Sequence, residues 1–378
     1  MLTGNAAPSI HEALYKTVIV SWQNKCLRFI VLMKIVQTAL LSYGLSGRAF
    51  HAPFISSHPG FQLVGAWERT SGRIQADYPE VIRFDSLSEV LSSAAELIIV
   101  NTPTYTHFNY AKQALEAGKN IIVEKAFVTN TQEAVELQAL AAKNNLTISV
   151  FQNRRWDSDF LTVKQVVDSG VLGDLVEVQF SFDRYNPSLS PKKHKEDPSP
   201  GAGILKDLGP HIIDQALLLF GMPEKVFADI RITRDNSLVD DYFEILMYYT
   251  AHRVRLHAGY FIRESTPAYV LHGKNGSFLK VRSDNQEALA LAGRKPGDPD
   301  WGKDNPDQFG LLHLQKQGQN FQERIESVQG SYMNYFDALH KALTLSKPVP
   351  VSDSDGIRVM RIIDAALLSN NENKVVAV

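Results

Sequence analysis

Residues 35–50 constrain the fold of this chain more than any other stretch. An apolar-rich run over residues 35–41 is followed by a short turn containing Gly44 and Gly47, and then by a segment with a helical pattern. This order of strand, tight glycine turn and helix is typical of a doubly wound parallel sheet, where N–H groups at the helix start face a dinucleotide pyrophosphate. Ser42 occupies the first glycine position of that motif. By itself, the pattern fits an ordinary turn as well as a cofactor loop.

Strand and helix patterns alternate through the part of the chain that follows this turn. Short apolar runs, which suit strands buried on both faces, lie at residues 61–67, 96–101, 119–124 and 146–152. Amphipathic segments such as residues 131–145 separate them. Such alternation is typical of βαβ units in a parallel sheet. We therefore predict a Rossmann-type dinucleotide-binding domain over residues 34–152.

The pattern changes after residue 153. Apolar Val176, Val178, Phe180 and Phe182 alternate with polar residues, which predicts a strand with one apolar and one polar face. Further strand patterns follow, and helical patterns close the chain. We predict an α+β domain over residues 153–378 with a largely antiparallel open sheet, used for substrate binding and for oligomerisation. The polar face is left open, and proteins that share the motifs described below pair such faces, so that resemblance implies a homodimer or higher homo-oligomer.

Residues 1–33 differ from both of these regions. Their apolar patches are interrupted by polar residues and fall short of the ~20 residues of a membrane span. They show no signal-peptide cleavage pattern. We interpret them as an N-terminal extension without a catalytic role, or alternatively as a short extra element that packs on the sheet. Whether they belong to the native protein is left open.

Composition excludes several classes of function. The 378 residues carry a net charge of −2, so no overall basic field is available for nucleic acid. The single cysteine, Cys26, excludes an intrachain disulfide framework and a cysteine-rich metal site, which favours a reducing compartment. We expect a cytoplasmic protein that acts on a small molecule, with no metal, nucleic-acid or membrane partner.

Polar residues that follow buried strands are the candidates for cofactor contacts. Glu68 ends the second strand 21 residues after Gly47, where a doubly wound fold places the acid that accepts from ribose hydroxyls. A carboxylate there repels a 2′-phosphate and favours NAD, whereas Arg69 could bind that phosphate or stack on adenine, so NADP is the alternative. Asn101, Thr102 and Pro103 follow another buried strand. They lie at the sheet edge where ligands bind.

A lysine and a histidine are the candidates for catalysis. Lys125 ends a buried strand, where packing alone explains a lysine poorly because an unpaired ammonium is costly to bury. His211 follows Gly209-Pro210, a pattern that predicts a helix start. It can titrate near neutrality, and Asp207 could orient it. Asp214, one turn further along, is more simply structural, but it is an alternative partner for the histidine.

The junction between the two predicted domains carries a polar and aromatic cluster. The two arginines Arg154 and Arg155, together with Trp156 and Asp157, could contact a polyhydroxylated substrate, or they could form an ion-pair cluster between the domains. Arg184 and Tyr185, at the end of the alternating strand, are similar candidates.

Several ordered motifs carry a resemblance from residue 34 to the C-terminus. They are YGLSGRAFHAPF (43–54), NTPTYTH (101–107), ALEAGKNIIVEKA (114–126) and GILKDLGPHIIDQALLLFGMP (203–223). The chain resembles the Gfo/Idh/MocA family of NAD(P)-dependent sugar and cyclitol oxidoreductases, and within it the branch that contains scyllo-inositol 2-dehydrogenases. The resemblance implies hydride transfer between the nicotinamide and a secondary alcohol of a sugar, sugar derivative or cyclitol.

The resemblance also implies roles for individual residues. The catalytic group would be Lys125, Asp207 and His211. The cofactor would contact Gly44, Leu45, Ser46, Gly47, Glu68, Arg69, Asn101, Thr102, Pro103, His107, Glu124 and Lys125. The substrate would contact Arg155, Trp156, Asp157, Tyr185 and His211.

Three departures from the family pattern bear on cofactor and substrate. Ala126 replaces the proline of the family's E-K-P signature, and Glu68-Arg69 replaces the Ser-Arg pair of NADP-using relatives. Residues 191–200 lack the tryptophan-containing motif expected in inositol-type relatives. The particular sugar and the physiological direction therefore stay open.

Two other functions are compatible with the same fold. One is a non-catalytic NAD(P)-binding regulator of a sugar pathway, which the presence of Lys125, Asp207 and His211 disfavours. The other is a glycosidase of the family that oxidises its substrate transiently with bound NAD, which the match to the inositol-type branch disfavours.

Overall fold

The computed structural model describes residues 15–19, 30–68, 72–191, 193–264, 266–316 and 318–378. Within the N-terminal extension, strands β1 (Tyr15–Ile19) and β2 (Ile30–Lys34) pair as a separate antiparallel sheet of two strands. Most of the extension, including Cys26, lies outside the described residues. The predicted domain boundaries at residues 34 and 153 stay predictions.

A parallel sheet of six strands follows, as the alternation of strand and helix patterns predicted. Its strands are β3 (Val36–Leu40), β4 (Phe61–Trp67), β5 (Ile82–Phe84), β6 (Leu97–Val100), β7 (Asn120–Val123) and β8 (Ile148–Val150). Its helices are α1 (Ala52–Ser57), α2 (Arg73–Asp77), α3 (Leu87–Ser92), α4 (His107–Glu116) and α5 (Thr131–Asn144). The spatial order β5-β4-β3-β6-β7-β8 confirms the Rossmann-type prediction. The direction of winding changes between β3 and β6, where such sheets bind their ligands.

The second sheet has nine strands and is antiparallel apart from one pair. Its strands are β9 (Leu175–Ser181), β10 (Lys225–Arg231), β11 (Tyr242–Tyr248), β12 (Arg253–Gly259), β13 (Tyr269–Gly273), β14 (Gly276–Lys280), β15 (Gly310–Lys316), β16 (Gln319–Ile325) and β17 (Val376–Ala377). Their order is β16-β15-β14-β13-β9-β12-β11-β10-β17, with β9 and β12 parallel. The prediction of a largely antiparallel open sheet is confirmed.

Helices cover one face of this second sheet. The helices described after residue 153 are α6 (Ser158–Asp168), α7 (Lys193–Glu196), α8 (Ile204–Asp207), α9 (Gly209–Phe220), α10 (Gln286–Leu291), α11 (Met333–Leu345) and α12 (Asp353–Glu372). α9 packs on β9 and β12, and α12 packs on β10. Among the residues that the structure describes, no helix is long and apolar enough to cross a membrane.

The alternating strand β9 departs from its prediction at one end. Val178, Phe180 and Phe182 are buried, but Val176 is 54% exposed. Pairing of β9 with β12 begins only at Glu177, and the pairing with β13 shifts register at this end. Because Val176 precedes the regular part of the ladder, its side chain does not join the apolar face.

Candidate active site

The glycine turn after β3 is shaped by one close approach. A Cβ at Gly47 would lie 2.5 Å from the carbonyl oxygen of Ser42 and 3.0 Å from Asn101 Nδ2, so only glycine fits there. Ser42 stands at the first glycine position because its Oγ accepts a hydrogen bond from Gly44 N at 3.2 Å. The chain then enters a π-helical turn (Gly47–His51) that continues into α1. The predicted strand, turn and helix are therefore present.

One cavity follows this turn along the edge of the parallel sheet. It has a volume of about 440 Å³. Four of the predicted cofactor contacts line it, namely Gly44, Glu68, Thr102 and Pro103. Arg73, Tyr105 and Tyr110 also line it, although they are not among the cofactor contacts predicted from the sequence. Arg69 lies outside the described residues.

Glu68 is held by the loop that follows it. Its side chain is buried, and Oε2 accepts a hydrogen bond from Ile74 N at 2.9 Å, in the first turn of α2. The carboxylate therefore orders the start of α2 as well as facing the cavity.

Asn101 and His107 both follow β6, on the chain segment that lines this cavity. Asn101 Nδ2 donates to the carbonyl of Ser42 at 2.7 Å, while its buried Oδ1 has no hydrogen-bond partner among the described residues. His107 is fully buried between the carbonyls of Thr102 (2.8 Å) and Ala126 (3.0 Å), and burial lowers its pKa. His107 thus braces the segments that follow β6 and β7.

A second cavity, of about 360 Å³, brings the predicted catalytic residues together. Lys125, Asp207 and His211 all line it, and so do Leu45, Ser46, Asn101, Thr102 and Glu124 from the cofactor set. The two cavities share Thr102. The structure therefore places the catalytic candidates beside the glycine turn.

Asp207 holds two lysines at this cavity. Lys125 Nζ donates to Asp207 Oδ1 at 2.9 Å and to its carbonyl oxygen at 2.7 Å, and Lys195 Nζ donates to Oδ2 at 2.9 Å. Burial alone would raise the pKa of Asp207, but the charges of Lys125 and Lys195 hold it well below its usual range. Asp207 therefore positions Lys125 by direct hydrogen bonds, rather than orienting His211 as the sequence suggested.

His211 projects from the first turn of α9, two residues after the start of that helix. Its Nδ1 is buried and has no hydrogen-bond partner within the described part of the chain. Burial first, and then the positive charges of Lys125 and Arg154, lower its pKa well below the ordinary value. The imidazole is therefore neutral at pH 7 and can accept a proton.

Asp214, the alternative partner for His211, is engaged elsewhere. Arg155 Nε and Nη2 donate to its two carboxylate oxygens at 2.7 and 2.6 Å, and both side chains are buried. This fork geometry is the strong form of an ion pair.

The structure does not bring Arg155, Trp156 and Asp157 into the cleft, which corrects their prediction as substrate contacts. Trp156 packs edge-on against Tyr335, and the buried Asp157 accepts from Tyr332 Oη at 2.7 Å. The 3₁₀ turn over Asn153–Trp156 directs these side chains into the core. Arg155 and Asp157 instead form ion pairs, with Asp214 and Arg154 respectively, in line with the ion-pair alternative. Arg154, the other arginine of the predicted cluster, does line the cleft.

Of the two candidates at the end of the alternating strand, Arg184 lines the cleft and Tyr185 does not. Tyr185 is 46% exposed, and the guanidinium carbon of Arg263 lies 4.1 Å from the centroid of the Tyr185 ring. Arg184 lines the cavity that holds Lys125 and His211, and its guanidinium lies 5.3 Å from the ring of Phe182. The residue alternation along β9 was the signal that could have distinguished these two neighbours.

Two family models match this chain over both predicted regions. Residues 36–152 match the oxidoreductase family's NAD-binding Rossmann fold, and residues 164–378 match that family's C-terminal alpha/beta domain. The chain belongs to the Gfo/Idh/MocA oxidoreductase family. This oxidoreductase is 35% identical over 342 residues to the scyllo-inositol 2-dehydrogenase (NADP(+)) IolW of Bacillus subtilis, covering 90% of this chain and 95% of the relative.

Solved structures of similar proteins superimpose on this chain over nearly its whole length. The oxidoreductase-family protein yvaA of Bacillus subtilis superimposes with a TM-score of 0.88 at 34% identity, over 92% of this chain and 99% of the other. A family protein from Bacteroides fragilis superimposes with a TM-score of 0.83 at 41% identity, over 91% of this chain and 100% of the other.

The residues beside the glycine turn fit a nicotinamide dinucleotide. A Cβ at Gly44 would meet nothing closer than Ser42 Oγ at 3.5 Å, so the turn is open on its cavity side. Asn101 Oδ1 is a buried acceptor that still lacks a donor within the described residues. The oxidoreductase therefore binds NAD, with NADP as the alternative.

In the described residues, no group of three or more His, Cys, Asp or Glu side chains could hold a metal ion. The charged groups of the cleft are instead paired lysines, arginines and carboxylates.

Proposed function

We propose that this oxidoreductase is an NAD(P)-dependent dehydrogenase that acts on a secondary alcohol of a sugar, sugar derivative or cyclitol. The observation that carries the proposal is the shared cavity of Lys125 and His211 beside the glycine turn. When bound, the nicotinamide cofactor supplies the hydride acceptor or donor. The chain supplies a positive charge, a proton acceptor and a site for a polyol.

Lys125 stabilises the negative charge that develops on the substrate oxygen. Its ammonium is fixed by the two hydrogen bonds to Asp207, so it is in place before the reaction begins. Its side chain is only 19% exposed, which limits screening by water.

His211 takes the proton of the substrate hydroxyl. Because burial and the nearby cations lower its pKa, the imidazole is available as a base throughout the neutral range. The same cations favour the alkoxide that this proton transfer produces.

Arg154 and Arg184 contribute substrate contacts. Both line the cavity, and their guanidinium groups lie 5.0 and 5.3 Å from the ring of Phe182. Guanidinium groups donate several hydrogen bonds in fixed directions, which suits recognition of neighbouring hydroxyl oxygens.

The substrate class is supported by relatives. IolW is a dehydrogenase of scyllo-inositol, which is a cyclitol. A second Bacillus subtilis relative, 27% identical over 52% of this chain, is a glucose-6-phosphate 3-dehydrogenase. Both names concern polyols, and we extend that class to this chain as a proposal.

The test is turnover of purified protein against a panel of cyclitols, aldoses and sugar phosphates, each with NAD and NADP, followed by nicotinamide absorbance. We expect oxidation of at least one polyol. Lys125→Met should lose about 10²–10⁴-fold in kcat while still binding NADH, because a transition-state charge is removed. NADH binding without turnover of any polyol would favour the regulator, and release of an aglycone would favour the glycosidase.

A further inference from the structure

Glu124, the residue before Lys125, joins two distant segments of the chain beside the cleft. Its Oε1 accepts hydrogen bonds from Ser46 Oγ in the glycine turn and from His51 Nε2, the latter at 2.8 Å. Its Oε2 accepts from the backbone N of Lys125 at 3.3 Å. One carboxylate thus connects the glycine turn and the π-helical turn that follows it with the end of β7.

This carboxylate is ionised and opens on the cleft. Burial alone would raise the pKa of Glu124, but the hydrogen bond and charge of His51 and the hydrogen bond of Ser46 lower it. Its side chain is 12% exposed and lines the cavity of Lys125 and His211. An ionised carboxylate only accepts hydrogen bonds, so its exposed side suits hydroxyl donors.

His51 is positioned by packing to donate a hydrogen bond to this carboxylate. It is fully buried, and its ring packs on Phe151 with 4.3 Å between centroids. Its Nδ1 has no partner among the described residues, whereas Nε2 faces Glu124. Because a carboxylate cannot donate, Nε2 must carry the proton. The histidine is therefore a donor whose direction is set by packing.

We propose that His51 is a positioning residue for the cofactor site. It fixes Glu124 as an acceptor for ribose hydroxyl groups of the dinucleotide and, through Glu124, fixes the backbone at Lys125. A group that orients a contacting residue by a hydrogen bond is of comparable importance to the contact itself. The inference rests on the proposed function only for the role of Lys125.

Two amide substitutions separate this role from packing. His51→Gln carries an N–H donor that can reach the position of imidazole Nε2. His51→Asn buries a similar amide but is one methylene shorter, so its donor cannot reach Glu124. His58→Asn is the matched control, because His58 is also buried and also pairs with a carboxylate, Asp337 at 2.9 Å, but lines neither cavity.

The measurement is the Kd for NADH by fluorescence titration, with Tm taken alongside. His51→Asn should weaken NADH binding by about tenfold, the size expected for one lost hydrogen bond to a charged group. His51→Gln should stay within about threefold of the parent. His58→Asn should lower Tm without changing the Kd.

Two results would overturn the inference: an unchanged Kd in His51→Asn, or equal losses in the Gln and Asn variants. Should His51→Asn fail to fold, Glu124→Gln tests the same link, and unchanged NADH binding there would overturn it. NADH binding needs no substrate, so a failure to oxidise any polyol would sink the proposed function and leave this result standing.

Discussion

At the scale of single residues, the site depends on one carboxylate shared by two lysines. Asp207 binds Lys125 and Lys195 from opposite oxygens, so the three groups together carry a net positive charge beside His211. The charge of Lys125 is among the causes that lower the pKa of His211. The same pairing therefore prepares both the proposed base and the proposed alkoxide site.

The lowered pKa of His211 predicts an unusual pH profile. Since the base must be neutral to accept a proton, kcat should stay constant as pH falls through about 6.5, the ordinary histidine pKa. The measurement uses a substrate that has no group titrating in this pH range. A fall in kcat near that pH in the parent enzyme would contradict the assignment of His211 as the base. In His211→Ala the residual turnover should rise with pH, because hydroxide replaces the base.

Folding stability should respond to the same shift with a defined sign. His211 binds a proton more readily in the unfolded chain than in the folded one. Its contribution to the free energy of unfolding is therefore largest above about pH 6.5 and falls as pH decreases below that value. The difference in free energy of unfolding between the parent and His211→Ala, from urea titrations, should therefore decrease as pH falls below about 6.5.

Cofactor choice is predicted to turn on Glu68. A buried carboxylate that lines the cavity repels a 2′-phosphate, so NADH should bind more tightly than NADPH. Glu68→Ser should shift the ratio of the two affinities toward NADPH. It should also cost about 1 kcal/mol of stability, because the hydrogen bond to Ile74 N is lost. Tighter NADPH binding by the parent in a fluorescence titration would refute this prediction.

At the scale of elements, the turn over Asn153–Trp156 ties β8 to α9 through Arg155 and Asp214. Arg155→Met should lower the free energy of unfolding by about 3–5 kcal/mol, since it strands a buried carboxylate. The KM for substrate should change little, because Arg155 does not line the cleft. The double variant Arg155→Met/Asp214→Leu should recover part of the stability in a urea titration. A large rise in KM with normal stability would return Arg155 to the substrate site.

At the scale of the whole molecule, alternate residues of β11 and β12 are exposed or only partly buried, so within the described residues one face of the second sheet is open. Side chains on that face, such as Leu246, Val270 and Leu279, are partly buried in the single chain. We predict a homodimer through this face, because a partly apolar sheet surface of this kind is a docking surface for a second copy. Leu246→Glu should give a monomer by light scattering, while Leu345→Glu, on the exposed side of α11, should not. A monomeric parent at micromolar concentration would contradict the prediction.

The sequence by itself determined the parallel sheet, the glycine turn and the likeness of Lys125, Asp207 and His211 to the family's catalytic group. These follow from local information: apolar runs in β6 and β7 whose residues are all or nearly all buried, a turn where only glycine fits, and residues at strand ends. Such patterns act over a few neighbouring residues, so they can be read without knowing the rest of the fold.

Only the tertiary structure decided which neighbour faces the cleft. In the turn over Asn153–Trp156, Arg154 lines it, while Arg155, one residue along, does not. Asp207 meets Lys125, which is 82 residues away, and Glu124 meets His51 across 73 residues. Side-chain direction in a short turn, and pairing between distant segments, are set by packing across the whole molecule, and local periodicity carries no information about either.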